Sequence, residues 1–388
     1  MQKLHVVLAS VALCLAACGS GDNGPEIPSF DITEPQALAL PPALTAASAG
    51  QAHMCALDAT GQAWCWGSDE DGRLGAAASQ RCMSGTIPCS PVPLRAAGAL
   101  RFGALAASAR GSCALAADGA AWCWGMGEGG QLGDGLRTSS TAAVAAAGGH
   151  RFTALYASNA TGLVCGLKAD RSLWCWGPGF GFGTQGPAAS VVPQRWDAAS
   201  GQVDWSRLAI GQGHACGLDD AGGLWCMGSA AFALLGDGSA VASATPVAVG
   251  AGRRYIDVAV GLMHGCALAA DGQAWCWGLG AAVGTEAAVG QLQATPVAVG
   301  GSTRFVSLAA AGARSCGLTA DGSAWCWGEG YSGLLGNGAS ERHVSPVAVM
   351  GGHHFRSLAL GLMASCGLDN SGSAWCWGNN EAGAVGAP

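Results

Sequence analysis

The sequence predicts an all-β fold: a seven-bladed β-propeller of four-stranded antiparallel blades with disulfide-stapled hairpins. Three observations carry that expectation. Seven cysteine pairs share one internal spacing: Cys55 with Cys65, Cys113 with Cys123, Cys165 with Cys175, Cys216 with Cys226, Cys266 with Cys276, Cys316 with Cys326 and Cys366 with Cys376. Their first members stand 58, 52, 51, 50, 50 and 50 residues apart, and a period near 50 belongs to propellers and solenoids. Between the pairs lie short strand-like runs and no helical stretch, leaving four candidate strands per period.

Each pair reads as a β-hairpin. With Cys266 opposite Cys276, Leu268 opposes Ala274 and Ala270-Asp271-Gly272 remains as a three-residue loop. Such a loop wants a left-handed residue last, which glycine supplies without steric cost. Glycine stands there in six copies, Gly61, Gly119, Gly222, Gly272, Gly322 and Gly372, while the third has Arg171 and predicts an altered or strained turn. Strand side chains alternate between faces, so Trp275 and Trp277 share one face and Cys276 points to the other. The residue opposite the first tryptophan is always Ala or Gly, which leaves room for the indole.

The other two strands come from neighbouring signals. Pro246-Val247-Ala248-Val249 recurs at 296–299 and 346–349 and reads as the first strand of a period. Residues 255–260, opened by an aromatic eleven positions before Cys266, read as the second, and the cysteine hairpin supplies the third and fourth. The repeat phase starts at Glu34-Pro35, which places the propeller at 34–388.

Residues 1–17 read as a targeting segment: Lys3, an apolar stretch, then Leu15-Ala16-Ala17-Cys18. That tetrad resembles the lipobox of bacterial lipoproteins, which implies cleavage before Cys18 and lipid on its thiol. Residues 18–33, rich in Gly, Pro, Ser and acidic side chains, read as a flexible tether. The expected location is therefore the cell envelope, lipid-anchored on the periplasmic side or at the outer surface of the outer membrane. Of 18 cysteines, Cys14 leaves with the signal and Cys18 is the anchor; the remaining 16 form the seven hairpin pairs plus Cys82 with Cys89. An even set behind an export signal reads as a disulfide framework. There is no Cys-x-x-Cys pair and the histidines do not follow the cysteine spacing, so no metal is expected, and no other cofactor is expected either.

Trp124-Gly125 followed by Gly129-Gly130-Gln131-Leu132-Gly133-Asp134-Gly135 resembles the repeat of the regulator of chromosome condensation family. Similar runs follow Trp66-Gly67 and Trp327-Gly328, and Gly211-x-x-His214 and Gly261-x-x-His264 match the family pattern before the next strand. The resemblance covers the chain from about residue 34 onward. It implies the propeller fold and a general protein-binding platform. The family's best-known member activates a small nuclear GTPase, a partner that an exported chain would not meet. The cysteine pairs depart from the intracellular members and fit an oxidising compartment.

Composition narrows the function classes. Only 11% of residues are charged, the net charge is −7, and Lys168 is the single lysine after the signal. No basic stripe exists for nucleic acid. No nucleophile elbow, metalloprotease helix or phosphate loop is present. Asp69-Glu70-Asp71-Gly72 lacks the alternating ligands of a calcium loop and reads as a solvated acidic loop. Thirteen of the 15 tryptophans fall at the repeated hairpin positions and read as blade core, with Met227 replacing one.

The candidate ligand-binding residues are His53, Arg110, His214, His264 and Arg314, at turns that pseudo-symmetry gathers around one mouth. The alternative surface is the set of unequal segments after each Trp-Gly, at 67–90, 177–190 and 278–294. The expected function is a non-enzymatic, monomeric binding scaffold recognising a protein or envelope partner through its loops. An enzyme with its site at the mouth and an adhesive envelope protein are the alternatives.

Overall fold

The cysteine hairpins form in the register that their turns dictate. In the fifth copy Cys266 faces Cys276, Ala267 faces Trp275 and Leu268 faces Ala274. The other six repeat that geometry: Cys55 faces Cys65, Cys113 faces Cys123 and Cys165 faces Cys175. Likewise Cys216 faces Cys226, Cys316 faces Cys326 and Cys366 faces Cys376. All seven pairs are buried and bonded, with Cα separations of 4.0–4.1 Å, and the eighth expected bridge joins Cys82 to Cys89. So short a separation marks pairs without mutual backbone hydrogen bonds. On the chain-entropy model each ten-residue bridge stabilises by about 3 kcal/mol.

The turn of the third copy keeps the common conformation: Arg171 takes a left-handed φ of 66° and its amide still donates to Lys168. Its guanidinium reaches the carbonyl of Trp205 and the carboxylate of Asp220, which holds the strained backbone in place.

The computed structural model describes residues 31–38, 43–83, 85–179, 189–196, 203–250 and 252–386. The expected signal, Cys18 and most of the tether lie outside the described residues. The first strand, Asp31–Ala37, begins three residues before the expected propeller boundary at 34.

Seven antiparallel sheets form, each around one cysteine hairpin. In the fifth blade the order is Tyr255–Val260, His264–Ala269, Ala274–Leu279 and Leu292–Ala298. The phase therefore differs from the expected one. The hairpin supplies the second and third strands, so the tryptophans lie on third strands. The Pro-Val run is the outer edge of the preceding hairpin's blade, since Ser243–Val249 pairs with Leu224–Gly228. Proline explains the placement: without an N–H it suits an edge whose far side needs no partner. A cyclic repeat yields the same spacings wherever it is cut, so spacing alone could not fix the phase.

The N-terminal strand Asp31–Ala37 is the outer strand of the seventh blade, paired with Ala374–Asn379, and so closes the ring non-covalently. The first blade carries a fifth short strand, Gln80–Cys82, bridged to its neighbour by the Cys82–Cys89 disulfide. Inner strands lie side by side around the axis, joined by bonds such as Ala107 N–H to Ser48 Oγ at 2.9 Å and Leu308 N–H to Asp257 at 2.9 Å.

The core is a set of joints between blades. The second indole of each hairpin is fully buried in six copies. Each donates to a carbonyl in the loop of the preceding blade: Trp66 to Ala384, Trp124 to Arg73, Trp176 to Gln131, Trp277 to Leu234, Trp327 to Ala282 and Trp377 to Leu334. The glycine two residues after that carbonyl must lack a side chain, because a Cβ on Gly236 would come within 2.8 Å of the Trp277 ring. In the fourth copy Met227 is buried in the indole's place, as expected of a filler position. The small residue opposite the first tryptophan makes room for a different ring than expected. A Cβ on Gly166, Gly317 or Gly367 would strike the phenyl of Phe152, Phe305 or Phe355, which stands at or just before the start of the inner strand.

Candidate binding face

Strand direction sorts the connections between two ends of the ring. Turns from inner to second strands, and loops from third to outer strands, lie at one end, the loop face. Hairpin turns lie at the other. His53, which opens a second strand, sits directly opposite Gly67, which opens a loop. The two surfaces that the sequence set against each other are therefore one face.

On that face the five candidate residues separate. His53, His214, His264 and Arg314 are buried in the walls between blades, and Arg110 alone is partly exposed. His53 Nε2 lies 3.0 Å from Ser112 Oγ, and His264 Nε2 lies 2.8 Å from Ser315 Oγ, each hydroxyl belonging to the next blade. Arg314 performs the same role with more bonds, donating to the carbonyls of Gly361, Leu362 and Ala364 and to Ser365 Oγ. The next blade offers His214 a glycine, Gly265, at the serine position, and neither ring nitrogen has a hydrogen-bond partner. Burial holds all three imidazoles neutral, with pKa values lowered to about 3 for His53, about 4 for His214 and about 3 for His264. The Arg73 charge adds to the effect at His53.

At the mouth, turns of neighbouring blades bond to one another. Gln51 N–H donates to Ala109, Ala109 N–H to Ser158, Ser158 Oγ to Gly211, Leu262 N–H to Gly312 and Leu362 N–H to Gly50. Asn159 of the third blade then crosses the axis and donates its amide to the carbonyl of Leu360 in the seventh, at 3.2 Å. Convergent turns thus satisfy one another. An open polar cup, as the sequence suggested, is not what they build. No local signal in the sequence marks the Asn159 crossing.

Towards the rim the face is polar. Arg110 pairs with Asp71 at 2.8 Å, and Asp71 also lies 3.5 Å from the buried Arg73 guanidinium. Asp69 is buried and accepts from the amides of Leu74 and Ala78. The acidic run at 69–72 is consequently a bonded turn joining two blades, not the solvated loop expected. Burial pushes the Asp69 carboxyl up and the Arg73 guanidinium down. Among the described residues, carboxylates outnumber guanidinium groups around the rim. Besides the Asp71 cluster there are Glu128 and Asp134, Asp237, Glu286, Glu329 and Glu341, and Glu381, against Arg81, Arg137 and Arg342. Among the described residues no three potential metal ligands cluster, and no helix is long and apolar enough to cross a membrane.

Residues 45–73, running from the first inner strand through the acidic turn, match the profile described as the regulator of chromosome condensation (RCC1) repeat. That stretch of the first blade is similar to a regulator of chromosome condensation repeat. Solved structures share the fold at low identity. Yeast RCC1 (Prp20), solved bound to Kap60, superposes with a TM-score of 0.70 at 18% identity over 87% of this chain and 82% of its own. Human WBSCR16 gives 0.74 at 17% identity over 89% of each chain. In sequence, 200 residues are 29% identical to human E3 ubiquitin-protein ligase HERC2, covering 50% of this chain and 4% of that much longer protein. The mouse counterpart is 28% identical over the same extent.

Two signatures of the condensation repeat acquire physical reasons here. Gly-x-x-His places the imidazole over the glycine, and a Cβ on Gly211 would meet His214 Cε1 at 2.5 Å. The Leu-Gly after Trp-Gly marks the carbonyl that receives the next blade's indole. Sequence reasoning missed a third device, the ion pair between Arg207 and Asp257 at 2.7 Å. Both stand two residues after the inner-strand aromatic, in adjacent blades, so superposing the repeats would have found it.

Proposed function

We propose that this chain is a non-enzymatic binding scaffold that recognises a protein partner through the rim loops of its loop face. The observation carrying the reading is the division of that face. Its centre is consumed by bonds between blades, while the unequal loops around it hold exposed polar and apolar side chains on a rigid, disulfide-bridged ring. Recognition belongs on loops of that kind. Structures of similar propellers support it: one is of yeast RCC1 bound to Kap60, and another concerns Prp20p and its binding properties to Gsp1p and histones.

In this reading the protein is exported and anchored through lipidated Cys18, acts as a monomer, and meets a protein or other envelope component there. Replacing Cys18 with alanine releases it from the membrane fraction; unchanged membrane retention removes the anchor. The scaffold reading is tested by affinity capture from envelope extract, followed by mass spectrometry. The soluble form should begin at residue 24, upstream of the closing strand, because a start at 34 would cut into Asp31–Ala37. A partner retained by that form and lost when loop 229–242 is replaced by a glycine-serine segment supports the scaffold. Turnover of a substrate without stable capture would refute it.

A further inference from the structure

The fourth blade breaks the loop pattern in one direction. At matched positions after Trp-Gly, the first and sixth blades place a left-handed polar residue followed by a left-handed glycine: Asp71-Gly72 and Ser332-Gly333. In those blades a Cβ on the glycine would strike the neighbouring outer strand, at Thr141 Oγ1 or Ile32 O. The fourth blade has Phe232 and Ala233 there, both left-handed at φ 56° and 58°. Two consecutive non-glycine residues in that region are unfavourable, and such backbone persists where surrounding structure enforces it. What the loop gains is display: Phe232 is 39% exposed, and Val241, in the same loop, is 72% exposed. Asp237 lies between them, and residues 229–242 contain no basic side chain.

We infer that Phe232 is the anchor of the docking surface, and that the partner segment it takes is basic and apolar. This rests on the scaffold reading and names the chemistry of its partner. A large exposed ring on a rigid loop is the kind of residue that dominates binding energy once a partner desolvates it. The surrounding rim determines the sign of the partner's charge. Asp237 and Glu286 of the adjacent fifth-blade loop, with Glu329 of the sixth further round the rim, favour lysine or arginine beside the apolar contact. An acidic partner would meet repulsion across most of the face. The equivalent loop of the sixth blade exposes Tyr331, so aromatic display is not confined to one blade.

The test uses a random dodecapeptide library displayed on phage, selected against the full chain. A synthetic peptide of the enriched sequence is then titrated into the wild type and into Phe232→Gly. Enrichment of lysine or arginine with leucine, isoleucine or phenylalanine is expected. Affinity should fall about tenfold in Phe232→Gly, and about tenfold in the wild type between about 0.05 and 0.5 M salt. Phe232→Gly should melt at or above the wild-type temperature, because glycine relieves the left-handed backbone. Phe232→Ser provides a second variant that retains a side chain. Enriched acidic or uncharged sequences, or wild-type affinity in both variants, overturns the proposal. Peptides that bind equally well without Phe232 but are lost when all rim loops are shortened would overturn only the anchor and leave the scaffold standing.

Discussion

The indole N–H of Trp277 donates to the carbonyl oxygen of Leu234 at 2.9 Å, across the joint between the fifth and fourth blades. The same bond recurs at five further joints, so ring closure is repeated chemistry and not a single clasp. Phenylalanine at 277 keeps an aromatic body but leaves the carbonyl of Leu234 without its donor. Trp277→Phe should cost about 1–3 kcal/mol, and Trp277→Ala about 3–5 kcal/mol through the cavity it leaves. Urea unfolding of both variants checks this, with the larger loss in alanine.

Arg110 and Arg314 resemble one another in sequence and differ in the structure. Arg314 is buried and donates to three carbonyls and a hydroxyl, so Arg314→Ala, which leaves those acceptors without their donor, should cost about 3–5 kcal/mol. Arg110 is 42% exposed in its pair with Asp71, and Arg110→Ala should cost less than about 1 kcal/mol. Arg314→His should recover part of the loss, because His264 makes the corresponding bond to Ser315. Equal melting temperatures for the two alanine variants would contradict the placement.

The three buried histidines predict a particular acid response. Each has a folded pKa of about 3 or 4, below the unfolded value near 6.5, so the unfolded chain binds protons first as pH falls. Stability is therefore full above pH 6.5 and declines below it, by up to about 1.4 kcal/mol per pH unit for each histidine. The decline continues until the folded values are reached. Asp69, whose carboxyl is pushed up by burial, opposes it as a single group against three. The decline begins well above the ordinary aspartate value of 3.8, so the imidazoles dominate the range from pH 6 to 4.5. Denaturation midpoints across that range should fall steadily; His150 and His353, whose pKa values are also lowered, add to the slope, and replacing His264 with glutamine should flatten it by up to about a third.

The repeat, the hairpin register, the disulfide pairing and the blade number were legible because each is local. Opposed cysteines such as Cys316 and Cys326, and the turn glycine between them, specify one another within ten residues. The phase was not legible, since Asp31–Ala37 completes a sheet whose other strands lie at the far end of the chain. The candidate site was legible only in part. His53 and Arg110 stand at turns that do converge, yet whether a polar side chain at a turn faces solvent or the next blade depends on its neighbour. Ser112, Ser315 and Ser365 decide that, and they lie about fifty residues away in sequence. Asn159 carries no distinguishing pattern at all.

The scaffold reading is tested most directly by hydrogen–deuterium exchange on the captured complex. Protection is expected in the rim loops at 126–139, 229–242 and 329–342, strongest at 229–242. The hairpin turns at the opposite end, such as those of Gly119 and Gly272, should exchange as in the free protein. Protection confined to those hairpin turns, with the rim loops unchanged, would contradict it.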